Sequence, residues 1–185
     1  MELIESGSGG VLPCFMAASL EYEGATFAAL YPVNAPVSLA QQQGERLVPL
    51  EDESPEVLAA AAEACRENDI DLLQTPVVLT ACGPGLEIVE GDAEALEYTE
   101  GDDEETEEAL LLAEFEHKGM DLLVVQMLDP LYVVGKRSET DEKKFSVPSD
   151  DEMDAVSDTI EQLVIEFEEG FDDDDDDDFM EDFAA

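Results

Sequence analysis

Two segments of this chain superpose, and that coincidence limits the fold more than any other feature. Leu20-Glu21-Tyr22-Glu23-Gly24 precedes the apolar run Phe27 to Val33, and Phe115-Glu116-His117-Lys118-Gly119 precedes the run Leu122 to Leu128. With Gly24 set against Gly119, residues Met16, Ala18, Leu20 and Tyr22 fall on Leu111, Ala113, Phe115 and His117. A period of two marks a strand with one buried side. The glycines supply the positive φ that a tight hairpin turn demands. The returning strands, Phe27 to Tyr31 and Leu122 to Val125, are apolar on both faces, which predicts central places in a sheet.

The parallel continues. Asn34-Ala35-Pro36 and Asp129-Pro130 are turn signals, and a third short strand is expected near Val37-Ser38-Leu39 and Tyr132-Val133-Val134. Val48-Pro49 with Asp52-Glu53 then matches Val147-Pro148 with Asp151-Glu152, and a helix follows each. Ser54-Pro55 offers an N-cap and a first-turn proline, and Ser149 to Glu152 forms a capping box. The first helix turns Val57, Leu58, Ala61, Ala62 and Cys65 inward. The second has one stripe of Met153, Val156, Ile160, Leu163, Val164 and Phe167, opposite Asp154, Asp158, Glu161 and Glu168, and Gly170 is expected to end it.

The predicted fold class is therefore α+β. It consists of two tandem repeats, each an antiparallel β-meander of about three strands followed by one helix, with the sheets packed or continuous. A unit of about 55 residues is marginal alone, so the copies should pack together. The expected organisation is a flexible N-terminus (1–11), a first repeat with an extra β-hairpin (12–89), an acidic linker (90–108), a second repeat (109–170) and a disordered poly-Asp tail (171–185). Val77 to Thr80 and Leu86 to Val89 are the expected arms of the extra hairpin.

Charge narrows function. The chain carries 50 acidic residues against 7 basic ones, a formal net charge of -43. DNA, RNA and anionic membranes each require a basic footprint, so direct binding to any of them is not expected. Basic proteins and divalent cations are the natural counterparts. Runs such as Leu122 to Leu128 are too short to span a bilayer, and Met1 to Gly10 lacks the features of a signal or transit peptide. A cytoplasmic location is expected, or the plastid stroma if a transit peptide has been removed.

No residue set points to catalysis, a metal or a cofactor. Cys14, Cys65 and Cys82 have neither zinc spacing nor even number, and read as reduced, structural thiols. His117 is the one histidine and aligns with Tyr22, which favours a structural ring over a general base. Gly83-Pro84-Gly85 has no phosphate-loop spacing and reads as a turn. The C-terminal tail is the one candidate docking element. Phe171, Phe179 and Phe183 flank the aspartate run Asp172 to Asp178, in which Asp172, Asp175 and Asp178 would steer a basic partner toward the rings.

Tyr22-Glu23-Gly24, Ala29-Leu30-Tyr31-Pro32-Val33 and Leu47-Val48-Pro49-Leu50-Glu51-Asp52 ahead of a helix resemble a family of small acidic bacterial proteins. These are single-copy proteins grouped only as a domain of unknown function. Two units in tandem, over roughly residues 12 to 168, resemble the family's cyanobacterial and plastid relatives. The second copy departs from the pattern, with Gln126-Met127 where the first has Tyr31-Pro32. The resemblance implies no catalytic residues. Bacterial members are often encoded beside a nuclease-fold protein linked to pre-ribosomal RNA maturation, which implies a setting near RNA processing or translation.

The functional expectation is a non-enzymatic acidic protein-interaction module, binding a basic partner near RNA processing, translation or complex assembly. The competing reading is a divalent-cation binder, or an enzyme, using carboxylates at the seam between the repeats. Oligomeric state is not legible.

Overall fold

The computed structural model describes residues 1–4, 10–43, 46–50, 54–87, 96–99 and 106–172. In chain order the elements are β1 (Glu2–Ile4), β2 (Val11–Tyr22), β3 (Ala25–Pro32), β4 (Ala35–Gln43), β5 (Arg46–Pro49), α1 (Pro55–Glu67), β6 (Asp71–Gln74) and β7 (Leu79–Cys82). They continue with β8 (Leu96–Thr99), β9 (Thr106–His117), β10 (Met120–Met127), β11 (Val133–Arg137), β12 (Lys144–Ser146) and α2 (Asp150–Asp172). The fold is α+β and mostly strand.

The two glycine turns form as expected. Tyr22 pairs with Ala25 and His117 with Met120, leaving two-residue loops. Both loop residues take positive φ: Glu23 at 50° and Gly24 at 80°, Lys118 at 52° and Gly119 at 78°. That is the geometry whose twist matches the strands it joins. Each hairpin also carries a register shift, at Met16/Ala18 in β2 and opposite Val124/Val125 in β9. The residues passed over, Ala17 and Leu112, stand 95 positions apart, as Gly24 and Gly119 do.

Beyond the hairpins the expected meander does not form. β3 and β4 do not pair with each other, and neither do β10 and β11. Instead β3 takes β11 as its second neighbour, and β10 takes β4. A meander needs a second tight turn of the primed kind, but neither Val33 nor Asn34 has positive φ. Pro32 and Pro36 hold the chain extended there, so it runs on into a different sheet.

The result is two closed rings of strands. The first runs β1-β12-β11-β3-β2, and β1 closes it by pairing with β2. In the second, the β10–β4 pairing closes the circuit β4-β5-β8-β9-β10, and the hairpin β6-β7 is added along β4. The pairs Leu3–Leu12, Met16–Leu30 and Ala29–Val134 of the first ring have counterparts Tyr98–Glu107, Leu111–Val125 and Val124–Leu39 in the second, every residue displaced by 95 positions. Each ring also contains one parallel contact, Leu3 beside Phe145 and Leu47 beside Tyr98. Each is thus built from three strands of one half of the chain and two of the other.

The core follows this plan. Leu3, Leu12, Cys14, Ala28, Leu30, Val133 and Phe145 pack together on the inner face of the first ring. Ala40, Leu47, Ala109, Leu123 and Val125 do so in the second. The opposite faces receive the helices. α2 lays Val156, Ile160 and Val164 on Phe27, Ala29, Tyr31 and Val134, and α1 lays Val57, Ala61 and Cys65 against Leu39, Leu112 and Val124. Leu79, Ala81 and Ile70, from β6-β7 and its approach, complete that outer layer.

Helix entries behave as read. Pro55 opens α1, with Ser54 as its N-cap residue although its side chain makes no capping hydrogen bond. At α2 the Ser149 hydroxyl accepts from the Glu152 amide, while the Glu152 carboxylate accepts from the Ser149 amide and hydroxyl. Lys136 adds an ion pair to the same carboxylate.

Four boundaries are corrected. Residues 2–4, inside the segment expected to be flexible, form β1, because Leu3 is wholly buried among Leu12, Val133 and Phe145. The stretch read as a linker contributes β8 and the start of β9, since Leu96 and Tyr98 alternate with Glu97 and Thr99 in a short period-two run. The extra hairpin pairs β6 with β7; of the expected second arm, Leu86 and Glu87 lie in a helical turn and Ile88 and Val89 lie outside the described residues. Pro84 begins that helical turn, over 84–87, and a methyl on Gly85 would lie 1.9 Å from the Asn68 carbonyl oxygen. Finally, α2 runs past Gly170 to Asp172, because no left-handed cap intervenes.

Candidate functional site

The two rings match in path but differ in one group of side chains, and that difference locates the candidate site. On β2, Leu12 and Cys14 point into the first ring, so the alternate residues Val11 and Phe15 face outward. Phe15 pairs directly with Tyr31 of β3, and their rings stack with centroids 5.4 Å apart and planes 14° apart. Tyr31 also meets Phe167 of α2 at 6.4 Å and Tyr132, ahead of β11, at 6.3 Å. Tyr31 is buried beneath these neighbours, while Phe15 keeps 52% of its surface exposed.

In the second ring the corresponding positions hold Leu110 for Phe15, Gln126 for Tyr31 and Val37 for Tyr132, all buried. α1 has 13 residues and α2 has 23. Phe167 and Glu168 lie on the part of α2 that has no equivalent in α1. Where α1 ends, the chain turns into the β6-β7 hairpin.

The edge of this aromatic group is anionic. The Tyr31 hydroxyl donates a hydrogen bond to the Glu168 carboxylate. Burial, and then that hydrogen bond and its charge, push the Tyr31 phenol above its ordinary range. Burial, followed by the charges of Glu161 and Glu168, pushes Tyr132 in the same direction. Both phenols stay protonated and neutral at physiological pH. The arrangement is a set of neutral ring faces beside carboxylates, which suits a cation. Val33, 63% exposed, and the exposed Leu131 and Ile165 are further apolar side chains in the strand ends and helix that carry the group.

The residues singled out from the sequence fall elsewhere. Phe171 and Asp172 are the last two residues of α2. Asp175, Asp178, Phe179 and Phe183 lie outside the described residues. His117 is half-buried at the end of β9, beside the turn, with no nucleophile in hydrogen-bond contact among the described residues. Burial pushes the Cys14 and Cys65 thiols up to about 11, which leaves them protonated and poorly nucleophilic. Among the described residues no three His, Cys, Asp or Glu side chains gather to hold a metal ion. No described helix is long and apolar enough to cross a membrane.

Phe15, Tyr31 and Tyr132 were not singled out by reading either half alone. The signal available was the departure between the halves, Tyr31-Pro32 against Gln126-Met127.

A profile for a family described as a protein of unknown function (DUF3727) matches residues 69–167, just over half of the chain. The match takes in β6 and β7, the second hairpin, β11, β12 and α2 as far as Phe167. No curated protein and no solved structure matches the chain.

Proposed function

We propose that this chain, which belongs to the DUF3727 family of proteins of unknown function, is a non-enzymatic acidic interaction module that engages a basic protein. The observation that carries this reading is the charge, 50 acidic against 7 basic residues. A field of that sign draws in a basic surface over a range set by the ionic strength, and competes with phosphate for it. The proposed partner is accordingly a protein whose basic face otherwise meets nucleic acid, and the resemblance to the small acidic bacterial proteins is what suggests a setting near RNA processing, translation or complex assembly. A cytoplasmic or stromal setting belongs to the same proposal.

An internal duplication is a further part of this reading, with kinship to tandem cyanobacterial and plastid proteins. It is supported by the paired turns at Gly24 and Gly119, the paired register shifts and the constant displacement between the two rings.

The test is affinity purification with the full chain and with residues 1–172, at about 50 mM and about 300 mM salt. Basic proteins should be retained at the lower concentration and largely lost at the higher, more so without residues 173–185. Partners that are neutral or acidic and indifferent to salt would overturn the proposal.

A further inference from the structure

We infer that the stacked pair Phe15–Tyr31, with Tyr132, Phe167 and the carboxylates of Glu161 and Glu168, is a docking site for an arginine side chain of a basic protein segment. This deepens the function proposed above and rests on it, because it gives the long-range attraction a place to end. Three observations carry it.

The first is an exposed aromatic face with a rigid support. Phe15 leaves half its surface to solvent although it stacks on Tyr31, and Tyr31 is fixed by Phe167, Tyr132 and the hydrogen bond to Glu168. A ring so held loses little freedom when a second planar group lies on it. The second is charge. Glu168 bonds the Tyr31 hydroxyl, and Glu161 and Glu168 both act on Tyr132, so carboxylates border the rings. A guanidinium satisfies both features together, stacking on the ring face while donating to a carboxylate in a planar fork. A lysine ammonium lacks the plane and is more strongly hydrated. The third is position. The group stands where the two rings differ, with Leu110, Gln126 and Val37 at the matching places, so the ring architecture itself does not require it.

Charge also selects among occupants. A second copy of the chain would bring another net charge of -43, and residues 173–185 contain eight acids and no base. Glu161 and Glu168 repel both. A basic segment is attracted.

Two fluorescent peptides of equal charge serve as probes, one alternating arginine with glycine and one alternating lysine with glycine. Binding to the full chain is followed by anisotropy and by amide chemical shifts. The arginine peptide should bind more tightly than the lysine peptide and should move signals at residues 14–17, 31, 33, 132 and 161–168. Phe15→Ala should weaken the arginine peptide by about tenfold and the lysine peptide much less. Glu168→Gln, which keeps an acceptor for Tyr31, should weaken both. Unchanged thermal melting of Phe15→Ala shows that its fold is intact, and if it melts early, Phe15→Leu replaces it. Equal affinity of wild type and Phe15→Ala, or shifts confined to 173–185, overturns the docking site while leaving the acidic module standing. Binding that survives high salt overturns the acidic module, and no binding by either peptide overturns both. Concentration-dependent dimerisation abolished by Phe15→Ala would assign the patch to a second copy instead. Tighter peptide binding on removal of residues 173–185 would assign it to the tail.

Discussion

Glu23 and Lys118 sit in a left-handed backbone conformation that the following glycine accepts without strain and they do not. A methyl on Gly119 would meet nothing within 4 Å, so the demand there is conformational, not steric. Gly119→Ala should lower unfolding free energy by about 1 kcal/mol at unchanged urea m-value, and a cost near zero would contradict the positive φ. Val77, β-branched and 63% exposed, takes φ 72° as well, inside a turn where the Thr75 hydroxyl donates to the Val78 carbonyl. At Glu152 the question is pH. The hydrogen bond from Lys136, then the Ser149 amide, holds this carboxyl below its ordinary value of 4.5. A depressed folded-state pKa contributes stability above the unfolded value and loses it as pH falls through the folded one. The stability gap between wild type and Glu152→Gln should therefore be widest above about pH 5 and close on acidification, read from urea midpoints between about pH 3 and pH 7.

Elements show how the two rings accommodate different contents. Gly135 of β11 faces Leu30 and Phe145, and a methyl there would lie 2.7 Å from Leu30 Cδ1 and 2.9 Å from Phe145 Cβ. Its counterpart on β4 is Ala40, fully buried, whose corresponding neighbours are the smaller Val125 and Leu47. Gly135→Ala should cost about 1–3 kcal/mol by overpacking, whereas Ala40→Gly should cost about 1 kcal/mol through the strand backbone. Calorimetric melting of the two variants distinguishes these outcomes. The capping box, the glycine turns and the apolar stripe of α2 were legible because each is a local pattern with a local cause. Strand partners were not. Phe27 to Pro32 and Leu122 to Gln126 are buried whichever strand lies beside them, so their composition carries no record of β11 or β4. β1 and β8 are three and four residues long, too short for a period to stand out beside Gly/Ser and acidic neighbours. The aromatic group was hidden for another reason. Tyr31 and Tyr132 fit ordinary core positions and Phe15 is a single aromatic on a strand's outer face, so only comparison with Leu110, Gln126 and Val37 sets them apart.

Over the whole molecule, the exchange of strands decides what a fragment can do. A chain cut between residues 88 and 95 leaves β1 to β7 with α1 on one side and β8 to β12 with α2 on the other. Neither piece can close a ring, since each lacks two or three strands of both. Each alone should give a collapsed amide spectrum, and equimolar mixing should restore dispersion as a one-to-one complex. A well-dispersed monomeric spectrum from either piece would show the exchange to be dispensable.

The same exchange also orders events during synthesis. Ala29 waits for Val134 and Leu3 for Phe145, so the first ring cannot shut until almost the whole chain has left the ribosome. Loop closure over such separations is slow, and β3 meanwhile offers a bare, apolar strand edge. The negative charge spread along the nascent chain gives that interval a safeguard, keeping neighbouring half-made copies apart until the last two strands arrive.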